Sequence, residues 1–573
     1  MNFTEKANFI WSVADILRGD FKQSEYGKVI LPFTVLRRFD CVLAASKEKI
    51  LEMNKTLTIS NKTPVFKRVT GHDYYNVSQF DFSKLIDDSN AIETNLRDYI
   101  NGFSDDVKEI LDKFEIGTVI DRLKKANLLY LVVQKFAELD LGSDSVENLE
   151  MGYMFEELIR RFSEQSNETA GEHFTPREVI ELMVELLLDP DMDEMTKDGK
   201  VKTIFDPACG TGGMLSVAQN KVIELNGKTT IIPFGQELNP ETYATCKSDM
   251  ILKGNTNSRI VLGNSFSEDG FMGQTFDYML SNPPFGVEWK KVEKFIKGEA
   301  EKQGFGGRFG AGTPRISDGS LLFLQHMISK MTPVSADGSG GSRIAIVFNG
   351  SPLFTGDAGS GESEIRKWII ENDLLEAVVA LPDQLFYNTG ISTYVWVLTN
   401  KKAARRKGKI RLVNGVSYFE KMRKSLGNKR NLINEQNRRE IVRLYSMFEP
   451  DENYIDFDNA DFGYSKITIE RPLYDKDGKP ELDKKGNKKA HSSLRDTETV
   501  PLKEDIKEYF KREVLPHVTD AWIDESKTKI GYEIPFTRHF YQFVPLRASA
   551  DIIAEIKSLE EKIANNLAEV LGE

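Results

Sequence analysis

Cysteine is scarce in this chain: Cys41, Cys209 and Cys246 are the 3 among 573 residues, with neither a CxxC pair nor metal-ligand spacing. That excludes a disulfide framework and a structural zinc site, and it fits a reducing, cytoplasmic setting. Long apolar runs are also missing. No stretch approaches a membrane span, and Met1-Asn2-Phe3-Thr4-Glu5-Lys6 does not read as a signal peptide, so no membrane association is expected. Positive charge is in deficit as well. With 76 Lys+Arg against 88 Asp+Glu the net charge is -12, which excludes a protein basic over its whole surface. A docking face for nucleic acid can still be positive locally, with a partner chain supplying further phosphate contacts.

What is present is ordinary globular material, 40% hydrophobic and 29% charged, in a length that implies two or three domains. Residues 1–165 read as a helical N-terminal domain. Met151, Met154, Phe155, Leu158, Ile159 and Phe162 recur at the spacing of a helix with one buried face. Over 166–465 the texture alternates. A helix over Arg177 to Leu188 precedes a strand ending at Ile204-Phe205. Strand-like runs follow at Thr230 to Phe234, Arg259 to Leu262, Phe276 to Leu280, Arg343 to Phe348, Leu375 to Leu381 and Ser392 to Leu398. Alternation of strands and helices indicates an α/β fold with a mostly parallel sheet covered on both faces. The last two strands are too close for a crossover helix, so that pair is expected to be antiparallel. Residues 466–573 form an extension. It contains a charged, exposed hairpin or insertion (Tyr474 to Lys489) and a terminal helix striped by Ile552, Ile553, Ile556, Leu559, Ile563 and Leu567.

Two features carry chemistry. The segment Phe205-Asp206-Pro207-Ala208-Cys209-Gly210-Thr211-Gly212-Gly213 leaves a strand and enters a helix. Its glycines allow a sharp turn and close backbone approach to a ligand at a helix N-terminus. Glu237 ends the following strand, where a carboxylate can hold two ribose hydroxyls. The second feature is Asn282-Pro283-Pro284-Phe285, directly after the strand Asp277-Tyr278-Met279-Leu280. Consecutive prolines fix the backbone around Asn282. Its amide oxygen and a neighbouring carbonyl can each accept a proton from one planar amino group. That draws the nitrogen out of conjugation and frees its lone pair, while Phe285 can stack on a flat base. Taken alone, this set fits an adenine in DNA, an adenine in RNA or a glutamine side chain.

The ordered set resembles the class I, amino-directed DNA methyltransferases, and more closely the modification (M) subunit of type I restriction-modification systems. The resemblance rests on Glu172-His173-Phe174-Thr175-Pro176-Arg177, Asp206 to Gly213, Glu237 and Asn282 to Phe285. It extends to Ile10 to Gly19, Leu381-Pro382-Asp383-Gln384-Leu385-Phe386 and Gly531 to Phe540, and so covers nearly the whole chain. It implies a Rossmann-like methyltransferase sheet of about seven strands and N6-adenine methylation of double-stranded DNA, with S-adenosylmethionine as donor. It also implies a prokaryotic cytoplasm, a specificity (S) subunit shared by two M subunits, and a restriction (R) subunit in the full complex. The cofactor is expected among Glu172 to Arg177, Asp206, Gly210 to Gly213 and Glu237, and the catalytic set is Asn282, Pro283, Pro284 and Phe285. Where the family often places an Asp against the cofactor's adenine, this sequence has Gly263-Asn264-Ser265-Phe266, and Asn264 and Ser265 take that place.

Several segments imitate other chemistry. Gly356 to Ser363 looks like a phosphate loop, but Glu362 stands where the lysine is needed. No nucleotide-driven motor pattern and no nuclease cluster of carboxylates and lysine accompanies it. The glycine-rich Gly304 to Gly312 reads as a flexible loop able to order over DNA, and Lys401 to Arg443 as a basic face for phosphates. No long variable reader of DNA sequence is visible, which agrees with a separate specificity subunit docked on the terminal helix.

Overall fold

In the computed structural model, residues 3–165, 175–226, 228–255, 257–387, 389–426, 428–483, 486–540 and 548–571 are described. The apolar runs of the central region become β1 (Val201–Asp206), β2 (Thr230–Glu237), β3 (Arg259–Leu262), β4 (Tyr278–Ser281), β5 (Arg343–Asn349), β6 (Leu375–Ala380) and β7 (Thr393–Thr399). Their residues alternate between two cores. Tyr278, Leu280, Ala345, Val347, Ala377, Val379, Val395 and Val397 join the buried face of the helix Arg177–Leu188. On the opposite face Phe205, Phe234, Phe271 and Phe276 pack ring against ring, with the Phe205 and Phe276 centroids 4.5 Å apart. Burial on both faces explains why these strands read as nearly unbroken apolar runs.

Among the described residues the sheet has nine strands rather than about seven. The two additions are β8 (Lys409–Asn414) and β11 (Tyr454–Asp458), outside the hairpin of β9 (Glu420–Leu426) and β10 (Lys429–Leu432). The sheet order is β11-β8-β6-β7-β5-β4-β1-β2-β3. β1 pairs in parallel with both β2 and β4, β2 with β3, and β4 with β5. β7 runs antiparallel between β5 and β6, as the short connection requires. Asp277 sets part of this register: its Oδ2 accepts hydrogen bonds from Thr203 N and Oγ1 at 2.9 and 2.8 Å.

The extra strands were hidden by their charge. Arg411 lies at the centre of β8 with 1% of its surface exposed. Its guanidinium donates to Asp456 on β11 at 2.8 and 2.7 Å and to the Leu444 carbonyl at 2.9 Å. A fork of donors matched to a carboxylate and carbonyls satisfies the buried charge. Part of the remaining basic stretch is also turned inward, while its larger part stays exposed. Lys401 pairs with Asp191, Lys402 with Asp373, and Arg438 with Glu181 at 2.7, 2.6 and 3.0 Å.

The chain divides into two units, Met1–Ile534 and Pro535–Glu573. In the first, the N-terminal helices bury their own core, and Met151, Met154, Phe155 and Leu158 lie at 0% exposure on the helix Asn148–Gln165. A smaller sheet is built around β12 (Gly463–Glu470), flanked by β13 (Asp496–Pro501), β14 (Trp522–Ile523) and β15 (Lys529–Tyr532). Residues from Tyr474 to Lys489 that are described are mostly exposed and carry isolated bridges, as a hairpin-like insertion should. In the second unit, the helix Ser549–Leu571 leaves Ile552, Ile553, Ile556, Leu559 and Ile563 between 42% and 59% exposed; the side chain of Leu567 lies outside the described residues.

Candidate active site

Parallel pairing brings the carboxyl ends of β1, β2 and β4 side by side, the edge where open α/β sheets bind ligands. Asp206 ends β1, and its Oδ1 accepts hydrogen bonds from Ala208 N and from Ser281 Oγ on β4, both at 2.9 Å. Glu237 ends β2; its Oε2 accepts from Gly210 N at 2.9 Å and its Oε1 from Asn239 N at 2.8 Å. The glycine loop and the acid, separate motifs in the sequence, are thus one structure. Asn239 also caps the helix Pro240–Leu252, accepting from Glu241 N and Thr242 N.

The loop needs its glycines for two different reasons. Gly212 has φ +84° and caps the helix Gly213–Leu225; a Cβ there would lie 2.7 Å from Cys246 Sγ. Gly210 has φ +55°, and a Cβ there would meet nothing within 4 Å, so the backbone faces open space. Thr211 lies half-buried between them, and Gly213 opens the helix. Burial pushes the Asp206 carboxyl up to about 7, and the nearby Glu237 charge adds to the rise against the two hydrogen bonds that Asp206 accepts. Two converging carboxylates at a glycine-lined opening favour a ligand that brings positive charge.

Asn282 follows β4 directly. Its Nδ2 donates to Thr175 Oγ1 at 2.9 Å, which orients the amide. Its Oδ1 is shielded from solvent and has no hydrogen-bond partner among the described residues. Nor does the Pro283 carbonyl accept a hydrogen bond there among the described residues. A buried acceptor left open costs free energy unless a donor arrives, so Asn282 Oδ1 is free to take an N–H group. Pro283 is buried, Pro284 is half-buried, and Phe285 packs part of its ring on the sheet's core.

The other expected site residues fall in three groups. Glu172, His173 and Phe174 lie outside the described residues. Pro176 starts the helix Arg177–Leu188 by accepting from Val179 N and Ile180 N, while Arg177 pairs with Glu181 at 3.1 Å and lies over the Tyr153 ring. Ser265 is buried and donates to the Pro207 carbonyl at 2.5 Å, tying its loop to the glycine segment. Asn264 serves its own turn: its Oδ1 accepts from Phe266 N and Ser267 N at 2.9 and 3.3 Å. Sequence reasoning missed Ser281 and Asn239. Asn239 carried a signal, an Asn followed by Pro at a helix start; Ser281 carried none beyond its place before Asn282.

Two neighbouring segments differ from their composition. Gly304 to Gly312 is folded around Arg308, which donates to Glu299 and to the carbonyls of Ser265 and Phe266 at 2.7, 2.9 and 2.6 Å. Phe309 is fully buried in a small core with Phe266, Trp289, Ile296 and Leu322. One five-donor side chain and one buried ring outweigh the freedom of the glycines. In the loop that imitates a phosphate site, Glu362 accepts from Arg315 N at 2.9 Å, and a Cβ at Gly361 would lie 1.8 Å from the Thr313 carbonyl.

Comparison with known proteins agrees with this geometry. The N-6 DNA Methylase family model matches residues 147–468. The chain belongs to the N-6 DNA methylase family. An HsdM N-terminal domain model matches residues 6–136. The type I restriction enzyme MjaIX methylase subunit of Methanocaldococcus jannaschii is 28% identical over 493 residues, covering 81% of this chain and 80% of its own. The HindI methylase subunit of Haemophilus influenzae is 30% identical over 267 residues, 46% of this chain and 54% of the relative, so that match spans about half of the subunit. The crystal structure of a type I restriction-modification methyltransferase subunit from Streptococcus thermophilus superposes with a TM-score of 0.64 at 22% identity, covering 81% of this chain and 97% of the other, which shows the shared fold. The family member described here is an adenine-specific DNA methyltransferase, a modification subunit of the type I restriction class. That sets aside the readings of RNA and of glutamine as substrate.

Proposed function

We propose that the open acceptors at Asn282 and Pro283 receive the N6 amino group of an adenine extruded from double-stranded DNA, and that the loop Asp206 to Gly213 with Glu237 holds S-adenosylmethionine. The observation that carries the reading is the buried, unpartnered Oδ1 of Asn282 at the end of β4. The open space at Gly210 and the convergence of Asp206 and Glu237 fit a donor with ribose hydroxyls and a cationic centre. Bound there, the donor supplies an electrophilic methyl group on a sulfonium. The protein's share is orientation and polarisation. Thr175 fixes the Asn282 amide so that its oxygen faces the amino group. Asn282 Oδ1 and the Pro283 carbonyl each accept one amino proton, and Phe285 stacks on the base. Extrusion is required because the target atom cannot be reached inside a duplex, and preorganised acceptors lower the barrier without reorganising. Pro176, Arg177, Gly210, Thr211, Gly212, Gly213, Glu237, Asn264 and Ser265 complete the cofactor side, with Glu172, His173 and Phe174 ahead of them in the chain, while Thr175 serves the Asn282 amide.

The organisation follows from the same reading: a helical domain over 1–165, the catalytic domain over 166–465 and an extension over 466–573. The helix Asn148–Gln165, which buries Met151, Met154, Phe155 and Leu158 in the core of the N-terminal helices, supports the first boundary. A specificity subunit that binds two copies of this chain, and a restriction subunit in the full complex, are the partners in a prokaryotic cytoplasm. The exposed apolar stripe of the helix Ser549–Leu571 supports docking there. Among the described residues no helix is long and apolar enough to cross a membrane. The decisive experiment is Asn282→Ala. Methyl transfer to plasmid adenine should fall about 100- to 1000-fold, the scale seen when a transition-state hydrogen-bonding group is removed, while donor binding stays intact. Full activity in that variant would sink the assignment.

A further inference from the structure

Among the cations of the basic stretch that stay exposed, one group stands together. Along the β9–β10 hairpin, Lys421, Arg423, Lys424 and Arg430 are exposed. Among the described residues none of the four has an acidic partner within 4 Å. From 421 to 430 the sequence holds no acid at all, in a chain of net charge -12. The adjoining Glu420 takes the Asn434 amide at 2.5 Å.

The hairpin is irregular where these exposed cations stand. Lys421 pairs with Asn431 and Leu426 with Lys429, so Met422 to Ser425 stand opposite Arg430 alone. A bulge of this size bends the ribbon and re-aims its side chains. The turn end of the hairpin is pinned to the catalytic edge of the sheet. Lys429 is buried, its Nζ donating to Glu178 and to the Leu385 carbonyl. Arg430 N and Asn431 N both donate to the carbonyl of Gln384, which has a left-handed φ of +53°. Glu178 lies in the first turn of the helix that begins beyond Thr175, and Thr175 holds the Asn282 amide. Gln384 lies just past the carboxyl end of β6, on the same edge as Asn282.

We infer that the β9–β10 hairpin is a phosphate clamp, whose Lys421, Arg423, Lys424 and Arg430 grip the DNA backbone beside the adenine presented to Asn282. This rests on the reading of Asn282 as the methylating site for DNA. A flipped base must be followed by its own backbone, and cations held rigidly at the cleft's rim stabilise that backbone without reading sequence. The clamp therefore supplies affinity and register and leaves sequence choice to another chain.

The test uses the full chain co-purified with its specificity subunit, a fluorescent duplex and plasmid DNA. In K421Q/R423Q/K424Q/R430Q the slope of log affinity against log salt should fall by about 0.9 for each phosphate no longer neutralised, about 3 to 4 in all. The KM for DNA should rise, while donor affinity and the unfolding temperature stay unchanged. A charge-preserving variant, K421R/R423K/K424R/R430K, should keep the parent slope. A parent-like slope and KM in the neutral variant overturn the clamp. Loss of co-purification at unchanged slope overturns it too, because the hairpin then meets protein. A parent that binds DNA but transfers no methyl to adenine refutes the site reading instead, and the salt slope still judges the hairpin.

Discussion

Thr175 was expected on the cofactor, yet its hydroxyl lies 2.9 Å from Asn282 Nδ2. Replacing it with valine keeps the shape and removes the acceptor. The amide then loses its orienting bond, and a half-turn about its last torsion would aim Nδ2, a donor, at the substrate's amino group. A buried donor left unsatisfied costs about 1–3 kcal/mol. At about 1.4 kcal/mol per tenfold in rate, Thr175→Val should lower kcat by about 5- to 150-fold. Single-turnover transfer of labelled methyl to plasmid DNA measures this, and calorimetry measures donor binding alongside it. Donor affinity should be unchanged, and Thr175→Ser should recover most of the rate. In an Asn282→Ala background the valine should add nothing, since its effect passes through the amide. A raised dissociation constant for the donor with unchanged kcat would place the hydroxyl on the cofactor and refute the argument.

Three further outcomes are expected. Asp206 is held near 7 when folded, above its ordinary value of 3.8, so folded protein without donor retains this proton more strongly and stability should fall as pH rises from about 4 to about 7. The span is worth at most about 4 kcal/mol, and Asp206→Asn, which keeps the shape, should flatten that part of a plot of unfolding temperature against pH; an unchanged slope contradicts it. Gly212→Ala combines φ +84° with a Cβ 2.7 Å from Cys246 Sγ, so urea unfolding should show a loss of about 1–3 kcal/mol, whereas Gly210→Ala, with open space ahead, should impair donor binding more than stability. Ile556→Glu/Leu559→Glu changes two exposed residues of the terminal helix and should abolish co-purification with the specificity subunit while leaving donor binding intact; a stable complex would remove the docking role.

What the sequence made legible was local. Two prolines after an apolar strand announce a rigid ligand-facing turn at Asn282, and an acid one strand beyond a glycine loop announces Glu237. The pairing of Thr175 with Asn282 joins residues 107 apart and leaves no periodic trace. Strand β8 was illegible for another reason. An arginine in mid-strand argues for solvent until Asp456 and the Leu444 carbonyl are known to meet it. Composition also misled at Gly304 to Gly312, where counting glycines says nothing of Arg308's partners.

The helix Pro240–Leu252 belongs to two interiors at once. Its Ala244 and Leu252 are buried in the core of the N-terminal helices, and its Tyr243, Cys246 and Met250 in the core of the sheet. Tyr243 and Lys247 both hold Glu109 of the N-terminal region, at 2.9 and 2.8 Å. At its start, Asn239 gives its backbone N–H to Glu237. The helix thus ties Glu237, the acid proposed for the donor's ribose, to the core of the N-terminal helices. If a partner that draws the N-terminal helices into a new position changes the donor's affinity through this helix, thermodynamic reciprocity requires the donor to bias that position by the same factor.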